Sequence, residues 1–186
     1  MNRFFNILFS IFLIAIFVVP MIFIFLVVKM TSKGPGMHLS KRIGRHGEVF
    51  LMPKFRTMKK NSPAVATHLL KTPTQYVTPI GRILRRTSLD ELPQLFSVLN
   101  GDMGFVGPRP ALFNQYDLII LRSKKGVDNL LPGITGWAQV NGRDKLSIPQ
   151  KVELDVEYLN HQTFWFDIKI LWMTFIKVVR RQGVIH

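Results

Sequence analysis

The run from Phe4 to Val28 holds no charged residue over 25 positions, and it limits what this chain can fold into more than any other feature. Only Asn6, Ser10 and Pro20 interrupt its apolar character. About 20 such residues suffice to cross the hydrocarbon core of a bilayer, so the segment is long enough to enter a membrane. It is too long for the apolar part of a secretion signal, and no small-residue cleavage site follows Val28. On the residues alone two arrangements stay open: a single spanning anchor, or a helix that dips in and returns. Pro20 lacks a backbone donor and clashes with the turn before it, so a kink is expected there, which favours return. The flanks speak to orientation. Arg3 stands alone before the run, whereas Lys29, Lys33, Lys41, Arg42 and Arg45 follow it. The positive-inside tendency places that heavier flank in the cytoplasm. Residues 1–30 therefore read as a membrane-embedded helix, and residues 31–186 as a cytoplasmic domain resting on the membrane.

The remaining length allows one domain with a core of its own. Its 25 basic residues against 11 acidic give a net charge of +14, which attracts nucleic acid, anionic lipid or phosphorylated substrates. No nucleic-acid-binding motif is visible. Cysteine is absent, which excludes disulfides, thiol catalysis and Cys-type zinc sites. The five histidines are scattered without metal-ligand spacing, so a metal would rest on oxygen, as Mg2+ prefers. Among the first 89 residues Glu48 is the only carboxylate, so a catalytic acid must come from a short set further on.

Residues 31–47 are rich in Gly, Lys and Arg and read as a basic linker under the membrane. Glu48 to Met58 is short and apolar with Pro53 inside it, which suggests an edge strand or hairpin arm. Residues 59–77 read as a loop, and 78–100 as a turn and a helix broken near Thr87 to Pro93. Gly101 to Pro110 has three glycines and two prolines and reads as a constrained loop. Residues 111–122 are expected to be helical, and 131–142 to form loop or short strand, with Gly133, Gly136 and Gly142 permitting tight turns. Helices are expected over 149–160 and 166–181. The last is basic and amphipathic, with Trp165 and Trp172 near it, and suits either a membrane interface or a core with a solvated basic edge. The whole reads as a helix-rich α/β fold with a small sheet.

Asp90 and Glu91 stand side by side just before Leu92 and Pro93. Proline is tolerated in the first turn of a helix, which places the pair near a helix N-terminus. Ser88, three residues before Glu91, also fits a capping box, a purely structural role for the glutamate. Arg82, Arg85 and Arg86 precede the pair and Arg109 follows it. Their charge and the helix dipole favour ionised carboxylates, and successive helical side chains diverge by about 100°, so the two can serve different targets.

The segment TPIGRILRRTSLDELPQLFSVLNGDMGFVGPRP, Thr78 to Pro110, resembles the signature of the bacterial sugar transferase family, the small monotopic phosphoglycosyl transferases of glycan assembly. The resemblance extends to KFRTM at Lys54 to Met58, PGITGWAQVNGRD at Pro132 to Asp144, DVEYL at Asp155 to Leu159 and FWFDIKIL at Phe164 to Leu171. It implies a re-entrant first helix that penetrates one leaflet of the bacterial cytoplasmic membrane. It implies that Asp90 attacks the sugar-bearing phosphorus of a UDP-sugar, releasing UMP. Polyprenol (undecaprenyl) phosphate would then take the sugar phosphate from the aspartyl ester, the first membrane step of glycoconjugate assembly. Glu91 would be the Mg2+ ligand, and Lys54, Arg85 and Arg109 would surround phosphate; each of the three could equally be structural or membrane-facing charge. Asp155 matches a family carboxylate that supports the site, against a plain surface ion pair in which Glu153 and Glu157 compete. Gln139, Asn141 and Arg143 are candidates for contact with nucleotide or sugar. Two other readings compete: a non-enzymatic basic adaptor holding anionic lipid, and a membrane hydrolase that passes the phosphoryl group to water.

Overall fold

Asn2 accepts a hydrogen bond from the Phe5 amide and starts α1 (Arg3–Thr31), 29 residues that run unbroken through Pro20. The kink expected at Pro20 therefore does not divide the helix. The computed structural model describes residues 2–32, 34–62, 73–142 and 145–180. After α1 come β1 (Met37–Ile43), β2 (Val49–Phe55), α2 (Pro73–Tyr76) and α3 (Pro79–Thr87). A single 3-10 turn, Leu89–Glu91, leads into α4 (Gln94–Asn100). The rest is β3 (Gly104–Val106), β4 (Ala111–Leu112), α5 (Tyr116–Lys124), β5 (Gly133–Thr135), α6 (Trp137–Asn141), α7 (Ile148–Asn160) and α8 (Phe164–Val179).

β1 and β2 form an antiparallel hairpin, with β4 on the other side of β1; β3 and β5 form a separate parallel pair. Part of the expected basic linker is thus a strand. Lys41 and Arg42 conceal a period of two in which His38, Ser40 and Arg42 share one face and cross-pair with Lys54, Met52 and Phe50. β2 is an edge strand, where the missing donor of Pro53 breaks no ladder. In place of the helix expected over 111–122, the chain forms β4 and then α5.

One face of α1 is packed along the domain. Phe9, Leu13 and Ile14 lie on the main core of Met52, Leu95, Val98, Met103, Phe105 and Ile170. Met21 and Val28 join Phe55 and Leu84 in a second cluster. The outer face, including Phe12, Val19, Ile22, Phe23 and Leu26, is exposed. α8 combines both expected characters: Asp167 and Ile170 are buried, while Trp165, Trp172, Phe175 and Val179 point outward. An apolar band of this extent suits lipid better than water. α1 is also long and apolar enough to cross a membrane.

Both ends of α1 are fastened to the same domain. At one end the Arg3 guanidinium donates to the carbonyls of Val98 and Leu99, at 2.6 and 2.5 Å, where the last turn of α4 leaves acceptors free. At the other, Arg56 Nη2 donates to the carbonyl and hydroxyl oxygens of Ser32. Removing the Arg3 side chain is expected to cost about 1 kcal/mol through those two bonds, read as a lower melting temperature in detergent.

Candidate active site

The carboxylate pair occupies the 3-10 turn between α3 and α4 rather than a capping box. Ser88 has φ 57°, the left-handed conformation, and its amide closes the end of α3 on Arg85 and Leu84. An N-cap needs extended backbone, so Ser88 makes no side-chain cap, and the Glu91 side chain is released for other partners. It finds two: Lys54 Nζ at 2.8 Å and Arg109 Nη2 at 2.7 Å, both on the same oxygen, Oε1. Lys54 comes from β2 and Arg109 from the loop after β3, so Glu91 ties three parts of the chain together. Among the described residues Oε2 accepts no hydrogen bond, and neither does the Asp90 carboxylate, which is 8% exposed.

Burial raises the Asp90 carboxyl above its ordinary value of 3.8; Lys54 opposes the shift, Glu91 adds to it, and Arg85 and Arg109 oppose it. The basic neighbours favour the ionised form, as expected, but at Asp90 desolvation outweighs them. Glu91 goes the other way. Burial pushes it up, but the charges and hydrogen bonds of Arg109 and Lys54 hold it well below its ordinary value. Two adjacent carboxyls are thus driven apart, the pattern by which one site assigns two roles.

Arg109 is held by its backbone. The Pro108 carbonyl accepts from the Gly133 amide at 3.0 Å, the Arg109 carbonyl from Arg122 at 2.7 Å, and the Pro110 carbonyl from Arg42 at 3.1 Å. Three consecutive carbonyls are pinned by β5, α5 and β1. A Cβ on Gly133 would lie 2.1 Å from the Gly107 amide nitrogen, and one on Gly136 2.0 Å from the Gly107 carbonyl oxygen. These two glycines serve close backbone approach, not the tight turns expected of them.

Asp155 lies on α7, 1% exposed, and accepts from Arg122 Nε and Nη2 at 3.0 and 2.8 Å. It is joined to the site through Arg122 and the Arg109 carbonyl, and Glu153 and Glu157 take no part in that pair. Burial raises its carboxyl and Arg122 pulls it back only in part. Arg85 donates to Thr57 Oγ1 at 2.8 Å, and its charge bears on both Asp90 and Glu91. Gln139 donates to the Ile134 carbonyl and lines the cavity that holds Glu91 and Arg109; its Oε1 is buried and has no partner among the described residues. Asn141 is exposed and bonded to the Trp137 carbonyl, outside the cluster. Arg143 lies outside the described residues.

Two residues of the cluster were not among the site residues expected from the sequence. Arg42, there only a flanking charge, is half-buried near Arg109 and Glu91; desolvation and the Arg109 charge push its guanidinium down to about 10. Arg122 carried no motif of its own. A strand alternation over residues 38–42 was the signal for the first, and nothing local pointed to the second. Among the described residues no group of three His, Asp or Glu could hold a metal.

The family model described as Bacterial sugar transferase matches residues 1–181. The chain belongs to the bacterial sugar transferase family. Similar members include the uncharacterized sugar transferase EpsL of Bacillus subtilis, 39% identical over 99% of this chain and 90% of that one. The undecaprenyl-phosphate galactose phosphotransferase of Salmonella typhimurium is 39% identical over 98% of this chain. The UDP-glucose:undecaprenyl-phosphate glucose-1-phosphate transferase of Escherichia coli is 43% identical over 82% of it. This chain spans only 41% and 34% of those last two family members.

Proposed function

We propose that this chain transfers a sugar 1-phosphate from a UDP-sugar to a polyprenol phosphate through a covalent ester on Asp90. The observation that carries the reading is the Glu91 carboxylate, gripped on one oxygen by Lys54 and Arg109, beside a buried Asp90 carboxylate that bonds to nothing among the described residues. An Asp90 oxygen attacks the sugar-bearing phosphorus; the bond from that phosphorus to the bridging oxygen breaks, and UMP leaves with the electron pair. A polyprenol phosphate oxygen then attacks the same phosphorus and expels the Asp90 carboxylate. Lys54, Arg109 and Arg85 stand where they can neutralise charge on the phosphoryl oxygens.

The Glu91 Oε2 atom and the neighbouring Asp90 fit a hard cation that keeps water and phosphate oxygens as its other ligands. Glu91 would hold Mg2+ there, and the ion would neutralise the diphosphate of the donor. A chelator is expected to stop UMP release and added Mg2+ to restore it.

A re-entrant α1 is part of the same proposal. At 1.5 Å per residue the helix is about 43 Å long, yet Arg3 and Ser32, at its opposite ends, both bond the one domain. A spanning helix would leave Arg3 on the far side of the bilayer. Cysteine labelling at Asn2 tests this: reagent confined to the face bearing the domain is expected to reach it.

The covalent route is tested by exchange of labelled UMP into UDP-sugar without lipid, with UDP-glucose and UDP-galactose tried first. A basic adaptor gives no exchange, and a hydrolase gives free sugar phosphate whether or not lipid is present. Asp90 must be ionised to attack, and its carboxyl is raised, so exchange should fall on acidification at a higher pH than an ordinary aspartate would set. Arg85 opposes that rise, so Arg85→Met should move the acid limb to still higher pH. Arg109→Ala should slow exchange by about 10²–10³, the scale for one lost charge-stabilising donor.

A further inference from the structure

A cavity of about 740 Å3 opens where α1 ends and α3 begins. It shares no described lining residue with the cavity that holds Glu91 and Arg109. Thr31 and Ser32 bound it on the α1 side and Thr78 on the α3 side, while Arg56, Lys59 and Lys60 supply its charge. No carboxylate is among its described lining residues. Arg56 is 7% exposed. Its Nη2 is spent on Ser32, but Nε and Nη1 are buried with no partner among the described residues. Gly34 closes over Nη1, so near that an added Cβ would stand 2.2 Å from it. Lys59 and Lys60 are exposed and make no ion pair among the described residues.

A buried cation is costly without a counter-charge. The C-terminal end of α1 offers only about half an elementary charge, against three cations, and the N-terminal end of α3 adds positive potential. The balance calls for an anion in the cavity. Position says which kind. The exposed apolar face of α1 runs on through Leu26 and Met30 and gives way at Thr31 and Ser32 to polar chain. In a bilayer that is the level of the headgroups, whether α1 spans or returns.

We propose that this cavity is a phosphate-binding site filled by the headgroup of an anionic phospholipid, which is neither substrate of the transfer. Such a lipid supplies the counter-charge that Arg56 lacks and holds the end of α1 against the start of α3. It stays in place while substrates turn over elsewhere.

The test uses the full chain in non-ionic detergent, with native mass spectrometry counting bound lipid and the melting temperature read alongside. The probes are phosphatidylglycerol, phosphatidylcholine and inorganic phosphate. One phosphatidylglycerol should be retained with an affinity about tenfold above phosphatidylcholine, and it should raise the melting temperature. Lys59→Gln with Lys60→Gln should weaken that binding about tenfold or more, the scale of two lost lysine–headgroup attractions. Lys124→Gln with Lys125→Gln removes the same charge from exposed positions at the end of α5 and should change nothing. All four lysines are exposed, and an unaltered melting temperature without lipid reports that both double variants fold. Equal retention of the two lipids, or equal loss in the two double variants, would overturn the site. A rise in melting temperature with inorganic phosphate but not with phosphatidylglycerol, lost with Lys59 and Lys60, would overturn the lipid as its source. None of these readings requires transfer activity, so the result is independent of the role given to Asp90.

Discussion

Asp90→Asn is expected to abolish UMP exchange while leaving the protein as stable as before or more so. The amide has nearly the volume of the carboxylate but no anionic oxygen to attack phosphorus. Loss of a nucleophile of this kind costs about four to six orders of magnitude in rate. Stability should move the opposite way. A folded-state pKa raised above the unfolded value means that the ionised group favours unfolding, so its contribution is greatest at low pH and is lost as pH rises through the folded value. At neutral pH the native Asp90 is therefore a burden on the fold, and a neutral isostere lifts it. The two measurements, exchange rate and melting temperature, should separate cleanly. A variant that exchanges UMP at the unmodified rate would eliminate the covalent route, and one that merely unfolds would contradict the electrostatics assigned to the turn.

The second large effect is expected at Asp155. Replacing it with Ala leaves the Arg122 guanidinium, whose side chain is 11% exposed, without its counter-charge. Breaking one side of such a buried pair costs roughly 3–5 kcal/mol. Arg122 also holds the Arg109 carbonyl, so transfer should be lost along with stability. The double variant Asp155→Leu with Arg122→Met discriminates between the two losses. It removes both charges at similar volume and should recover much of the melting temperature. Activity should stay low, because the Arg109 carbonyl then has no donor from α5. Full activity in the double variant would show that Arg122 does not position Arg109, and an unshifted melting temperature in Asp155→Ala would show that the pair adds no stability.

The apolar run, the broken helix over 78–100, the edge strand around Pro53 and the paired carboxylates were all legible in the sequence, because each rests on composition or spacing within a few residues. β1 was hidden because Lys41 and Arg42 resemble the charges that flank a membrane helix, and the alternation that betrays a strand was read as linker. The capping box suggested by Ser88 and Glu91 failed for a conformational reason: the end of α3 sets Ser88 left-handed. Most of what holds Arg109 could not be seen at all. Gly133, Arg122 and Arg42 are 24, 13 and 67 positions away in the chain and meet the loop through backbone carbonyls. A carbonyl has no letter in a sequence.

The two fastened ends of α1 have a consequence for how such a protein meets its substrates. A domain hung on one flexible tether can rise and tilt above a bilayer; a domain bonded at Arg3 and again at Ser32 is set at one height, as a keel is set in water. On the function and re-entrant arrangement proposed above, a lipid acceptor would reach the carboxylate turn by sliding within the leaflet. Its encounter rate is then governed by the number of lipid molecules per unit of membrane area rather than per litre, so diluting the acceptor with inert phospholipid should slow the reaction even when both totals are held fixed in the tube.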